Sequence, residues 1–352
     1  MISFYPGPSR VYSQIPAYVQ DAYEAGLLSI NHRSAEFMEM SSNAIRLLRE
    51  KLEIPEDYWV FFTASATECW EIISQSLVPK KSYHLYNGAF GEKWWQNAKK
   101  IQPQTVGKAF SPEEIIQTGA LMVDKEVEVI CVTQNETSNG TAVSNATIRE
   151  IREKYPEKLI AIDATSSLGG AYLNFQLADV WFASVQKCFG LPAGMGIMIC
   201  SPTAIDIALE IGENNHYNSL VFMIEKMRDY QTTHTPNVLG IYLLMRTLEK
   251  APSIHLTDAM LQSRFGEYMT FFSTGKNMEC LIHNPEARSK TVITLQAEAQ
   301  RIREIKAAAK KAGILLGNGY GRWKENTFRI ANFPAIEKKE IEILKNFLEA
   351  YL

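Results

Sequence analysis

From Tyr58 to Cys200 short apolar runs alternate with stretches of helical periodicity, and this alternation does most to limit the fold. The strand-like runs are Tyr58–Thr63, Tyr83–Tyr86, Val127–Thr133, Leu159–Asp163, Asp179–Ser184 and Gly196–Cys200. Between them, Thr67–Leu77, Gly91–Ile101 and Ala146–Lys154 read as helices. Val127-Glu-Val-Ile-Cys-Val-Thr133 is short, β-branched and bounded by turn residues, as expected of a strand covered on both faces. Such alternation predicts an α/β fold whose sheet is mainly parallel, with helices on either side.

At 352 residues the chain exceeds the size at which one core usually stops growing, so two domains are expected. The segment Pro236–Glu249 reads as a helix with Pro236 in its first turn. After Pro252 the pattern changes: Met278–His283, Thr291–Leu295 and Thr327–Ala331 are strand-like and lie beside helical Glu298–Lys311 and Lys338–Ala350. That is the signature of a smaller α+β domain at the C-terminal end, which begins near residue 251.

The strands place their polar residues at the carboxyl ends. Val127–Thr133 runs into Gln134-Asn-Glu-Thr-Ser-Asn-Gly140, and Lys158-Leu-Ile-Ala-Ile162 runs into Asp163-Ala-Thr-Ser-Ser-Leu-Gly169. Asp179-Val-Trp-Phe-Ala-Ser-Val-Gln186 ends at Lys187. In an open α/β sheet those ends border the ligand crevice, so Thr137, Asp163 and Lys187 are expected on one rim. Burial lowers a lysine pKa, and a lysine so tuned condenses with a carbonyl as a Schiff base. An aldehyde cofactor with a basic ring nitrogen needs such an amine, and a carboxylate to keep the ring charged. Phe62-Thr-Ala-Ser-Ala-Thr-Glu68 links a strand to a helix through small residues. It reads equally as a plain N-cap or as a phosphate site on the helix N-terminus.

Composition narrows the function classes. A net charge of −3 gives no support to a nucleic-acid or anionic-membrane surface. No apolar segment approaches the ~20 residues that span a bilayer. The five cysteines show neither CxxC nor other metal-ligand spacing. An odd, scattered set of thiols with no secretory signal predicts a cytoplasmic protein without a metal site. No GxGxxG follows the first strand, which argues against a nicotinamide dehydrogenase.

Ser184-Val-Gln-Lys187 with Gly190-Leu-Pro-Ala-Gly194 resembles the cofactor-lysine segment of the class V, fold type I aminotransferases that use pyridoxal phosphate. Phe4-Tyr-Pro-Gly-Pro8, Ile30-Asn-His-Arg-Ser34, Asn135-Glu-Thr-Ser-Asn-Gly140 and Thr233-His-Thr-Pro236 follow in that family's order, and the resemblance is greatest to its phosphoserine aminotransferase branch. It implies a large pyridoxal-phosphate-binding domain over residues 15–250, with residues 1–14 joining 251–352 in the small domain. Lys187 and Asp163 would be catalytic. Ser65, Ala66 and Thr67 would form the phosphate cup, Phe90 would stack on the cofactor, and Thr137, Thr165 and Gln186 would orient it. His234 and Thr235 would reach the cofactor of a partner subunit in a homodimer with shared active sites.

Within the resemblance, His32 and Arg33 would meet the distal acid of the substrate, and Arg329 would grip its α-carboxylate through two parallel hydrogen bonds. Arg322 stands where relatives carry a histidine that contacts the phospho group. Other departures are Thr67 in place of an arginine, Phe90 in place of a tryptophan, and His234 in place of an asparagine. The substrates implied are an amino acid and a 2-oxo acid, with O-phosphoserine and 2-oxoglutarate preferred. A class V enzyme specific for alanine, serine or glyoxylate, and a non-catalytic relative of the fold, remain alternatives at this point.

Overall fold

The computed structural model describes residues 1–275 and 277–352. Its larger sheet has seven strands in the order Trp59–Thr63, Gly196–Cys200, Val180–Ser184, Leu159–Asp163, Val129–Thr133, Ser82–Tyr86, Val106–Ala109. Gly196–Cys200 is antiparallel to both neighbours, and the other pairings are parallel. The central strands Val129–Thr133, Leu159–Asp163 and Val180–Ser184 are buried at every position, which explains their unbroken apolar character. Each fully buried side chain there, such as Ile162 or Phe182 at 0 % exposure, contributes roughly 1.5–3 kcal/mol.

Helices cover the sheet, and several begin at a serine whose side chain accepts an amide of the first turn. Ser34 takes Phe37 N–H, Ser65 takes Glu68 N–H, Ser144 takes Thr147 N–H and Ser201 takes Ala204 N–H. The caps place the helix starts, at Ala66 and Asn145, one residue before the sequence-based ones. Pro236 is not in the first turn of its helix. Asn237 caps by accepting Gly240 N–H at 2.8 Å, so the helix runs Val238–Lys250 and the proline stays outside.

The second sheet has five strands in the order Ile2–Phe4, Ile314–Asn318, Thr327–Ala331, Val292–Gln296, Glu279–Cys280. Ile2–Phe4 pairs parallel with Ile314–Leu316, and Phe4 joins a separate core with Tyr268, Ile305, Phe328 and Leu344. Sequence reading missed Ile314–Asn318, whose apolar run is only three residues long before Gly317. It also missed the edge strand Val106–Ala109, which is largely exposed and carries no apolar alternation. Met278–His283 shrinks to Glu279–Cys280, because Arg288 draws the following carbonyls of Ile282 and His283 away to its own guanidinium. No helix among the described residues is long and apolar enough to cross a membrane.

In the large sheet the connection from Ser82–Tyr86 leads outward to Val106–Ala109, whereas the connections after Val129–Thr133 lead the opposite way. The connections from these two neighbouring strands therefore leave in opposite directions, and a crevice opens beside their carboxyl ends. The small hairpin Asn135–Glu136 with Thr141–Ala142 stands at its edge.

Candidate active site

A cavity of about 510 Å³ lies at this crevice, lined by Lys187, Asp163, Thr137, Thr165, Gln186, Phe90, Ala66, Thr67 and Arg329 among others. Nine of the residues singled out in the sequence thus share one pocket. A cavity of about 550 Å³ lies elsewhere along the hairpin; it shares Asn135 but neither Lys187 nor Asp163, and so has none of the expected chemistry.

Lys187 follows the strand Val180–Ser184 and is 6 % exposed. Its Nζ donates to Thr137 Oγ1 at 2.7 Å. Burial lowers its pKa to about 8, against the opposing pull of the Asp163 and Glu136 charges. Thr137 is itself fixed, since its hydroxyl donates to Ser166 Oγ at 3.0 Å. Asp163, at the end of Leu159–Asp163, is 3 % exposed and accepts Thr165 N–H at 2.9 Å. Burial raises its pKa, while the Thr165 amide that it accepts and the charge of Lys187 work in the other direction. At the base of the pocket an amine more easily deprotonated than a free lysine therefore sits in the field of a buried carboxyl group.

The N-terminal segment closes the floor. Tyr5, Pro6, Gly7 and Pro8 line the pocket, and Ser9 N–H donates to Gln186 O at 3.0 Å. Gly7 has φ +153°, and a Cβ there would lie 3.0 Å from Lys187 Cε, so only glycine lets the chain pass the lysine.

Phe90 lies in the first turn of the helix Ala89–Ile101. Gly88 precedes that helix and has no side chain to cap it; the carboxylate of Glu136 does so from the hairpin, accepting Phe90 N–H at 3.1 Å and Gly91 N–H at 3.0 Å. A Cβ on Gly88 would come within 2.3 Å of Glu136 Cγ, so the glycine is what admits the carboxylate. The Phe90 ring lies 5.3 Å from Lys187 Nζ and stacks on Tyr320 at 5.2 Å between centroids. Trp94 and Trp95 are elsewhere: Trp94 packs on Phe182 and His84, and Trp95 stacks on Tyr86.

Arg329 comes from the strand Thr327–Ala331 of the second sheet and is 4 % exposed. Its Nε donates to Asn318 O and its Nη1 to Thr137 O, both at 2.7 Å, which leaves Nη2 for a ligand. The bond to Thr137 O ties the small sheet to the Asn135–Ala142 hairpin at the pocket itself.

The remaining expected residues fall outside this cavity. Ser65 spends its hydroxyl on the cap of its helix. His32 and Arg33 lie beside the segment that carries His234, and Arg33 donates to Gln231 Oε1 at 2.6 Å. Burial, with Arg33 and His234 nearby, lowers the pKa of His32. His234 lies edge-on to Tyr217, and Thr235 is exposed. Arg322 is also exposed and stacks on Trp323 at 4.3 Å, a cation–π contact that holds it off the pocket. Sequence reading missed Glu136, Tyr320 and Lys93, although Glu136 lies inside a motif it had singled out. The usable signal for Glu136 was the glycine before a helix that needs an acid from elsewhere.

Comparisons with known proteins bear on the family and the fold. The family model for aminotransferase class-V matches residues 6–321. The crystal structure of a phosphoserine aminotransferase from Cytophaga hutchinsonii superposes with a TM-score of 0.94 at 32 % identity, over 100 % of this chain and 99 % of that one. Phosphoserine aminotransferases of Nocardioides sp. and Rhodococcus opacus are 25 % and 28 % identical, covering 98 % and 97 % of this chain and 94 % and 93 % of their own.

Proposed function

The chain belongs to the class V aminotransferase family, and on that premise we propose that it transfers the amino group between O-phosphoserine and 2-oxoglutarate with pyridoxal phosphate as cofactor. The observation that carries the reading is Lys187, a buried amine of lowered pKa held between Thr137 and the field of Asp163. The names of its relatives support the substrate class, and the free Nη2 of Arg329 suits the α-carboxylate of an amino acid.

The residues present fit the cofactor. Thr165 Oγ1 and Gln186 Oε1 are buried in the pocket wall without a hydrogen-bond partner, an arrangement that costs stability unless a ligand completes it. Ala66 and Thr67 bring the N-terminus of the helix Ala66–Ser76 to the same pocket, where its dipole favours a phosphate.

When bound, pyridoxal phosphate supplies a pyridinium ring that withdraws electrons from the substrate Cα. Asp163 would hold a negative charge near the ring nitrogen, and Phe90 would stack on the ring and fix its orientation. Lys187, once its amine is free, takes the proton from the substrate Cα. Its low pKa keeps a useful fraction of that amine neutral near pH 8. Arg329 binds the α-carboxylate through the free edge of its fork. Glu136 acts through Phe90, whose amide it fixes.

His32, Arg33 and His234 cluster together outside the pocket that holds Lys187 on the same chain. We read this cluster as the part of the site that one subunit lends its partner across a two-fold axis, so that each centre needs both copies. Single-turnover absorption spectra of the loaded protein with phosphoserine, glutamate and alanine test the function. Fast spectral change with the first two and slow change with alanine are expected. Equal rates with all three would overturn the substrate, and no change with any would overturn the activity.

A further inference from the structure

The outer half of the pocket holds a cation that no sequence motif pointed to. Lys93, one turn after Phe90 on Ala89–Ile101, donates from Nζ to Tyr320 OH at 2.5 Å. Its Nζ lies 4.9 Å from the Tyr320 ring centre and 5.9 Å from that of Phe90. The neighbours recorded for this ammonium are thus a phenol and two aromatic faces, none of which neutralises it. Of the described residues that the helices Ala66–Ser76 and Ala89–Ile101 bring to the lining, Thr67, Trp70, Gln96 and Asn97 among them, Lys93 alone is charged.

Tyr320 relates this cation to a second one. Arg329 Cζ lies 5.4 Å from the same ring. Two cations around one tyrosine, opening on one cavity, set out the reach of a short diacid. Arg329 is buried and pinned by two carbonyls, as suits the invariant end of every amino acid. Lys93 is exposed at the mouth on a long flexible stem, as suits an end group that varies.

We propose that Lys93 is a specificity-determining residue that binds the distal acidic group of the substrate, and that Tyr320 positions its ammonium. The proposal deepens the function given above and rests on it. Tyr320 draws the lysine over the pocket mouth while no anion is bound; a distal phosphate or carboxylate then takes the ammonium over and gains a charge-assisted hydrogen bond.

The test uses the cofactor-loaded protein and equilibrium binding of anions that carry no amino or oxo group and therefore do not turn over. Glutarate and 3-phosphonopropionate are titrated against propionate by calorimetry. Native protein is expected to prefer the dianions, and the preference to shrink as salt is raised. Lys93→Met should cut that preference by about 10-fold, since it removes one charged hydrogen-bond donor, whereas Lys93→Arg should keep most of it. A native protein without a preference for dianions would overturn both this assignment and the acidic substrate. A preference that survives Lys93→Met intact would overturn the assignment of Lys93 alone. Equal weakening of dianion and monoanion binding in that variant would make the lysine merely structural and overturn it as well.

Discussion

The Nζ of Lys187 donates to Thr137 Oγ1 at 2.7 Å, joining the segment after Val180–Ser184 to the hairpin that follows Val129–Thr133, with both side chains less than a tenth exposed. A hydroxyl that already gives its proton to Ser166 accepts from the lysine without adding charge. The amine is thereby aimed into the pocket while burial keeps it easy to deprotonate.

Reactivity toward the cofactor should therefore be confined to one lysine. After loading with pyridoxal phosphate and reduction with borohydride, peptide mapping should find the pyridoxyl group on Lys187. A label on any other lysine would refute the assignment.

The lowered pKa has a consequence for stability. In the cofactor-free protein, folding opposes the protonated form of Lys187. The resulting destabilisation is fully present below about pH 8 and is relieved as pH rises toward the unfolded value of 10.5. The unfolding midpoint of the native protein minus that of Lys187→Met should thus increase from pH 8 to pH 10. A flat or falling difference would mean that the lysine is not held in a desolvating site.

Asp163→Asn keeps the shape of the strand end but removes the charge opposed to the ring nitrogen. Cofactor binding should be largely retained, and transamination should slow by on the order of 10²–10⁴. Near-normal turnover would show that another acid serves the ring.

Glu136→Gln removes the carboxylate that caps Ala89–Ile101 from outside. Because charged hydrogen bonds to buried amides are lost, the variant should be less stable by about 1.5–3 kcal/mol in urea denaturation. An unchanged midpoint would mean that the helix start is held by other contacts.

If the His32–Arg33–His234 cluster serves a partner's centre, two inactive variants should complement each other. Random reassociation of equal amounts of Lys187→Ala and Arg33→Ala subunits should restore about a quarter of the native activity toward phosphoserine, since half the dimers are mixed and each has one intact centre. No recovery would place Arg33 in the centre of its own chain.

The amino-acid sequence determined the α/β class, the second α+β unit and the polar ends of three central strands. The physical cause is local: a strand buried on both faces must be apolar until it leaves the sheet, so Asp163 and Lys187 stand out where Leu159–Asp163 and Val180–Ser184 end. Serine caps were equally local, which is why helix starts shifted by no more than a residue or two.

Only the tertiary structure decided which cations face the pocket. Arg322 and Arg329 are seven positions apart, yet one stacks on Trp323 at the surface while the other reaches across to Thr137 O. Lys93 gave no sequence signal, because a lysine on an exposed helix turn is unremarkable until Tyr320, from the loop after Ile314–Asn318, packs against Phe90 and takes its ammonium. Glu136 was hidden for the same reason: its partners are the amides of a helix about 45 residues earlier in the chain. Side-chain direction across a crevice depends on how two sheets dock, and no local run of residues encodes that.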